Sequence, residues 1–308
     1  MFVKSNKNLK GEVKVIILGE KVKELRKNKR FSQKQLAEGI CTQVTISKIE
    51  NHNSIPTMNI LSKLCERLDV DIHDICINEG DSNENYAIFQ QVDQLCDLFQ
   101  YKEAYEILKI KLNEERLSTL HEKKMYFYLM GKILLMGFND IEEALHYLNL
   151  ELIVDRSERV DFTDVLVSNT IGVAYHLKEE TNKAKIYFEQ SIRELEKISN
   201  IDLKNLDKIL LIYFNTAKFY SDIGDYQEAV TLCETGIQMA ESEKTTSQLD
   251  KLYYEKAFNE AMNGQLAEAK KGYFIAMAFA IMNQNDVIIE IIKKNMHKFK
   301  LTFDELFI

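Results

Sequence analysis

Between Ser32 and Asn53 the chain is dense in side chains that form hydrogen bonds without carrying a charge: Gln33, Thr42, Gln43, Thr45, Ser47 and Asn53, with Val44 and Lys48 among them. No nucleophile stands beside a base in this stretch, so its chemistry is recognition rather than bond making. Two short helices must position these groups. Ser32 is a good N-cap, its hydroxyl able to accept a free backbone N–H of a first turn. Leu36, Ala37 and Ile40 then share one face at helical spacing. Cys41-Thr42 breaks the pattern, and Thr42 can cap a second helix from Gln43 to about Asn51. Ile46 and Ile49 point inward on that helix, leaving Gln43, Val44, Ser47 and Lys48 outside. A short helix with polar, groove-sized side chains opposite its buried face meets the needs of a recognition helix that docks on DNA.

The chain totals bound this reading. At 308 residues two domains are expected. There is no apolar run of membrane-spanning length, and no cleavage site follows the short apolar patch Val13 to Leu18, so a cytoplasmic protein is expected. The five cysteines (Cys41, Cys65, Cys76, Cys96, Cys233) are odd in number and widely spaced, which fits reduced thiols better than a disulfide framework. The net charge of −8 argues against nucleic acid, but its distribution reverses the argument: residues 1–78 carry +5 and the remainder −13. A basic head on an acidic body is the asymmetry expected when only the head meets phosphates.

Around the two short helices the pattern extends into a five-helix unit. Val15, Ile16, Leu18, Val22 and Leu25 mark an amphipathic first helix ending near Asn28. Pro56, the only proline, precedes Thr57, which can cap a fourth helix that buries Ile60, Leu61, Leu64, Cys65 and Leu68. Val70, Ile72 and Ile75 finish the unit. The combination Ser32-Gln33, Leu36-Ala37, Ile46-Ser47, Ile49-Glu50, Pro56 and Leu61, Leu64, Leu68, Ile72, Ile75 resembles the Cro/C1-type (Xre) helix-turn-helix. That resemblance implies that Gln33 bonds a phosphate and that Gln43, Val44 and Lys48 face the major groove. Ser47 reaches a base or a phosphate, and Thr45 belongs to either class. Glutamine can read adenine bidentately and Val44 can meet a thymine methyl. Lys48, Asn51 and Asn53 are expected as phosphate anchors, and Arg26 and Glu50 as an internal ion pair.

From residue 84 the signal changes. Tyr101-Lys-Glu-Ala104, Ile141-Glu-Glu-Ala144, Thr181-Asn-Lys-Ala184, Tyr226-Gln-Glu-Ala229 and Leu266-Ala-Glu-Ala269 align, their alanines 40, 40, 45 and 40 residues apart. Gly172, Ala217 and Ala257 stand twelve residues before the last three alanines. Small residues at paired positions let two antiparallel helices approach closely, the mark of a helix-pair solenoid. The repeats resemble tetratricopeptide units, with helices longer than the usual period of about 34 allows. Helix pairs are expected near 84–115, 119–154, 161–198, 203–242 and 246–282, with a capping helix from Asp286 to about Lys300 and Phe303, Leu306 and Phe307 folding back on it or on a partner. The fold class is therefore all-α: a five-helix head and a right-handed α-solenoid of five such pairs. The expected division is an N-terminal extension over 1–14, the Xre-type DNA-binding domain over 15–77, a polar linker over 78–84, and the tetratricopeptide-like domain over 85–308.

Stacked helix pairs leave a concave surface lined by the first helix of each pair. Asn169 and Asn215 fall on these lining helices, and an asparagine amide can clamp both the C=O and the N–H of an extended peptide. Glu255 occupies the corresponding place in the fifth unit. A DNA-binding head on such a body resembles the PlcR-like regulators of the RRNPP group. The local resemblance runs through Gln94-Leu-Cys96 with Tyr101-Lys-Glu103, Asn169 with Tyr175, Tyr213 to Tyr220, and Leu252-Tyr-Tyr254. It implies a homodimeric intracellular regulator, an activator on an inverted-repeat operator, controlled by a short signalling peptide in the groove (quorum sensing). Asn169, Asn215 and, more weakly, Glu255 would be its peptide-binding residues. Asp97 and Phe99 depart from the pattern, since an acidic peptide would prefer lysine there.

Enzymatic chemistry has no constellation to rest on. The eleven glycines form no phosphate loop, and the six histidines pair neither with each other nor with cysteine at ligand spacing. No catalytic residue, metal or cofactor is expected. The competing reading is a helix-turn-helix regulator whose solenoid binds a partner protein rather than a peptide.

Overall fold

The computed structural model describes residues 15–68, 70, 72–78, 82–112, 114, 117, 119–154, 160–198 and 205–302. The expected extension over 1–14, residues 79–81 of the linker, and Phe303, Leu306 and Phe307 lie outside them. The chain divides into two compact units, residues 1–123 and 124–308.

In the first unit the head is built from β1 (Val15–Ile17), α1 (Gly19–Asn28), α2 (Gln33–Ala37), α3 (Gln43–His52), α4 (Met58–Leu68), α5 (Ile72–Ile75) and β2 (Cys76–Asn78). Its core is Val22, Leu36, Ala37, Ile46, Ile49, Leu61, Leu64, Leu68 and Ile75, closed by Ile17 and Cys76. The five helices appear where expected, but α1 starts later. Residues 15–17 are a strand, paired antiparallel with β2 in the register Val15↔Asn78, Ile16↔Ile77, Ile17↔Cys76. The run Val-Ile-Ile is β-branched throughout and favours an extended backbone once a partner strand exists. That partner is sixty residues away in sequence, and Leu18 N–H continues the clasp to the Ile75 carbonyl at 2.8 Å.

Gly19 begins α1 where it abuts the end of α3. A Cβ here would collide with the Ile49 carbonyl and lie 2.6 Å from Asn53 Oδ1 and 2.9 Å from the Glu50 carbonyl. The first unit also holds the first helix pair, α6 (Ser82–Asp97) and α7 (Tyr101–Lys111).

The second unit contains most of α8 (Leu120–Phe138), then α9 (Ile141–Val154), α10 (Phe162–Leu177), α11 (Thr181–Lys197), α12 (Leu206–Asp222), α13 (Tyr226–Ser242), α14 (Leu249–Met262), α15 (Leu266–Met282) and the capping helix α16 (Asp286–Lys298). These match the expected pairs. Ala184, Ala217, Ala229, Ala257 and Ala269 are fully buried. Gly172 admits the Phe188 ring so closely that a Cβ would stand 3.0 Å from it. A regularity missed in the sequence lies in the turns. Phe99, Asn139, Glu179, Gly224, Gly264 and Gln284 each adopt a positive φ two residues before the following helix. Only two are glycine, so the composition of these turns does not advertise the left-handed position they share.

One buried charge cluster ties α8, α9 and the start of α10. Lys124, 1% exposed, places Nζ 2.8 Å from Asp161 Oδ2, 2.7 Å from Asp164 Oδ1 and 3.5 Å from Glu151 Oε1. Burial pushes the Glu151 carboxyl up to about 8 despite that lysine.

Two outcomes are expected. Gly19→Ala should destabilise the head by about 1–3 kcal/mol, read as a lower denaturant midpoint; an unchanged midpoint would contradict the close approach. Glu151 keeps its proton in the folded state well above the pH at which an unfolded glutamate loses it, so stability falls as pH rises between the two values. Glu151→Gln should remove that loss, its melting temperature gaining on the parent from about pH 5 to about pH 8. Parallel profiles would show that Glu151 does not carry the effect.

Candidate functional site

The head builds its exposed surface from two capped helices. Ser32 and Gln35 form a capping box: Gln35 N–H donates to Ser32 Oγ at 3.2 Å, and Ser32 N–H to Gln35 Oε1 at 2.8 Å. Thr42 caps α3 by accepting from Thr45 N–H at 3.2 Å, and the two threonine hydroxyls lie 2.9 Å apart. Both are therefore engaged in starting the helix before any partner arrives. Ile46 and Ile49 anchor α3 in the core. Gln43, Val44 and Lys48 point outward, Val44 with 62% of its surface open to solvent. Ser47 is half-buried and accepts from Asn51 Nδ2 at 3.2 Å.

Behind this face runs a connected polar chain. Arg26 Nε and Nη2 donate to the two Glu50 oxygens at 2.5 and 2.9 Å, and Nη1 donates to the Phe31 carbonyl at 2.8 Å. This is the ion pair expected from the sequence. Burial opposes ionisation of Glu50, yet hydrogen bonds from Arg26 and Gln33 hold its carboxyl below the usual range. Gln33 Nε2 donates to Glu50 Oε2 at 2.9 Å, and Gln33 Oε1 accepts from Gln43 Nε2 at 3.4 Å. Gln33 thus links the ion pair to the outward Gln43 through one Nε2 proton and its Oε1, and the phosphate contact expected of it would use the second Nε2 proton.

Asn53, expected as a phosphate anchor, has a structural duty as well. It ends α3 in the left-handed conformation, and its Oδ1 accepts from Gly19 N–H at 2.9 Å, closing the start of α1. Two residues the sequence reading passed over belong to the same support. They are Gly19 and Arg67, whose Nη1 donates to the Leu36 carbonyl at 3.2 Å and caps the carbonyl end of α2. A lone arginine on the amphipathic α4 was the one available signal.

In the second unit Asn169 and Asn215 are brought together. Asn215 Nδ2 donates to Asn169 Oδ1 at 3.0 Å, and Asn169 Nδ2 donates to Ser191 Oγ and Thr216 Oγ1 at 3.2 and 3.3 Å. Asn169 is 3% exposed and Asn215 is half-buried. Asn169 therefore does not offer a free amide, because the lining helices α10 and α12 pack against each other as well as against their own partners. Glu255 is also only 3% exposed, accepting from Asn259 Nδ2 at 3.1 Å, and burial raises its carboxyl above the usual range. Glu255 is thus buried against Asn259 on the helix where a groove residue was expected. Nearby, Asp222 meets His176 Nε2 at 3.0 Å and Lys218 Nζ at 3.4 Å, while Lys251 lies over the Phe214 ring at 6.0 Å.

Among the described residues no group of histidine, cysteine or carboxylates could hold a metal ion, and no helix is long and apolar enough to cross a membrane. Burial pushes the Cys41, Cys76 and Cys233 thiols up, Cys76 to about 11. A reactive thiolate needs the opposite shift.

Residues 22–75 match the helix-turn-helix family HTH_3. The head is a helix-turn-helix DNA-binding domain. No curated protein matches the chain. Among solved structures, PlcR of Bacillus thuringiensis in complex with the peptide PapR7 and DNA is 22% identical, with 89% of this chain and 98% of that one covered and a TM-score of 0.62. The apo competence regulator ComR of Streptococcus vestibularis is 17% identical over 92% of this chain and 98% of that one, TM-score 0.54. The pheromone receptor Rgg2 of Streptococcus dysgalactiae is 13% identical over 91% and 99%, TM-score 0.50. The helix-turn-helix domain followed by a tetratricopeptide-like solenoid is the fold that these structures share with this chain. At such identities it is the fold that is shared.

Gln43→Ala should cost about 1–3 kcal/mol on the specific operator and little on random DNA, measured by fluorescence anisotropy. Equal losses on both would make Gln43 a phosphate contact. Gln33→Ala, by releasing Gln43, should erode the same discrimination in part.

Proposed function

We propose that this protein is a peptide-controlled transcription regulator. Its head, working boundaries 15–77, reads operator DNA through Gln43, Val44 and Ser47, with Gln33, Thr42, Thr45, Lys48 and Asn53 shaping or anchoring that surface. Its body, 85–308 beyond a linker over 78–84, binds a short signalling peptide and forms a homodimer. Two heads in a dimer would suit an inverted-repeat operator. The setting is the cytoplasm, the process is quorum sensing, and the output is activation.

The observation that carries the proposal is the pairing of a DNA-reading head with a solenoid whose lining helix α12 holds Asn215, an amide only partly satisfied by the protein. Its Nδ2 has one bond, to Asn169, and among the described residues its Oδ1 has none. A half-used amide on a lining helix is equipped to hold a peptide backbone. The shared fold with PlcR, which was solved holding both a peptide and DNA, supports the same reading. Peptide binding would bias the operator affinity of the heads, and operator binding would raise peptide affinity by the same factor.

The test is titration of synthetic heptapeptides into the full chain, with operator affinity measured in parallel. A binder should change operator affinity, and Asn215→Ala should weaken it about tenfold, the worth of one or two hydrogen bonds. Binding to random DNA should be unaffected. If no heptapeptide binds while a partner protein co-purifies through the body, the partner-protein reading replaces this one.

A further inference from the structure

The elbow between α2 and α3, residues 38–42, sets where the recognition face stands, and its own backbone does little to hold it. Glu38 has φ −55° and ψ 122°, and Gly39 is left-handed at φ 70°. Ile40 N–H and Cys41 N–H both donate to the Ala37 carbonyl at 2.9 Å. A Cβ added at Gly39 would meet nothing within 4 Å, and an open hollow lined by Lys34, Gln35, Ala37, Glu38, Cys41 and Gln43 borders the elbow. Ile40 and Cys41 do rest on the core of the head, but apolar contact is non-directional and fixes no angle. α2 itself has five residues and buries only Leu36 and Ala37, too short a helix to persist without tertiary support.

Arg67 supplies that support from α4, where the fully buried Leu64 and Leu68 anchor it. Its Nη1 lies 3.3 Å from the Gln35 carbonyl, 3.2 Å from the Leu36 carbonyl and within hydrogen-bond distance of the Glu38 carbonyl. A helix end leaves such carbonyls without an N–H. Among the described residues none of the three accepts a backbone N–H across the elbow. Two of them belong to α2 and the third to the elbow, so one guanidinium group ties the helix end to the turn that follows it. Burial raises the Cys41 thiol and the Arg67 charge opposes that rise, so the cation is felt at the far end of the elbow as well.

The consequence falls on Gln43. It is the first residue of α3, and its Nε2 donates to Gln33 Oε1 on α2 at 3.4 Å, near the outer limit of a hydrogen bond. A small rotation of α2 against α3 breaks that link and turns the Gln43 amide. We infer that Arg67 is a positioning residue for sequence recognition, a role that rests on Gln43 reading a base as proposed above. From α4 it fixes the angle at the elbow, and through the elbow the aim of Gln43, without touching DNA itself. A planar guanidinium suits the task, because its donors keep a fixed geometry that a lysine ammonium lacks. An arginine close to a recognition helix has another use, as a phosphate anchor. The two uses differ in their response to salt, since only a phosphate contact releases a counterion on binding.

The experiment uses the full chain with two probes: a duplex selected from a random-sequence pool on the unaltered protein, and a scrambled duplex of the same length. Affinities are read by fluorescence anisotropy across a salt series. Arg67→Met should weaken the selected duplex about tenfold, leave the scrambled one unchanged, and keep both salt slopes. Equal losses on the two duplexes with a slope smaller by about one would make Arg67 a phosphate contact and overturn the inference. No loss on either would overturn it as well. In a Gln43→Ala chain, Arg67→Met should cost far less than in the parent, because its effect passes through Gln43. The full tenfold loss in that background would overturn the route through Gln43. If Gln43→Ala alone loses both duplexes equally, the base-reading role of Gln43 fails, a result obtained without any change at Arg67. A pool that yields no preferred duplex overturns that role and this inference together. Should Arg67→Met fail to fold, Arg67→Lys decides, because it keeps the charge without the planar fork. It should lose discrimination at an unchanged salt slope. Full affinity for the selected duplex in Arg67→Lys would show that charge suffices and would overturn the positioning role.

Discussion

Two antiparallel helices can lie close together only where neither presents bulk at the crossing. That steric constraint underlies the body of this protein. Gly172 opposite Phe188, and the buried pairs Ala217/Ala229 and Ala257/Ala269, bring each pair of helices together. Because these three pairs are built the same way, α10, α12 and α14 stack in a regular series. Regular stacking is what sets Asn169 on α10 within reach of Thr216 and Asn215 on α12. A larger residue at position 172 would displace the ring beneath it, and the displacement would pass directly into the asparagine pair three residues away. Tight packing transmits strain in this manner because a dense interior has no slack to absorb it.

The head rests on a different kind of constraint, a buried charge that must stay paired. Glu50 is 1% exposed and meets Arg26 through two hydrogen bonds, with Gln33 supplying a third. Removing one partner would leave a buried ion without compensation, a far larger penalty than the pair itself is worth. The same carboxylate therefore organises three elements: α1 through Arg26, α2 through Gln33 and α3 through its own backbone. Its influence reaches the surface at Gln43. Support and recognition are continuous here, since the residue that faces outward is held by one that faces inward.

Polar residues at repeat positions proved less transparent than apolar ones. Asn169 and Glu255 were legible as residues of the first helix of their pairs, and α10 and α14 carry them. Their burial was not legible, because a lining helix also packs against the next lining helix, and sequence periodicity reports only the face, not how much of that face a neighbour covers. Asn53 shows the same limit in the head. Its polarity suited an anchor, while its left-handed backbone and its bond to Gly19 make it a clamp between two helix ends. The strand at Val15–Ile17 was missed for a related reason: its partner lies in residues 76–78, and no local pattern announces a pairing at that distance.

The sequence by itself determined the kind of molecule this is. Helix caps at Ser32 and Thr42, the inward isoleucines of α3, the basic head and the recurring alanines specify a helix-turn-helix followed by a helix-pair solenoid. These are local signals, carried by residues within a turn or a repeat of one another, and local physics suffices to read them. Only the tertiary structure decided which polar groups remain available. That depends on protons shared among residues 22 to 47 positions apart, as Ser191 and Thr216 share them with Asn169. A hydrogen bond is allotted once, and the allotment is settled where the helices meet.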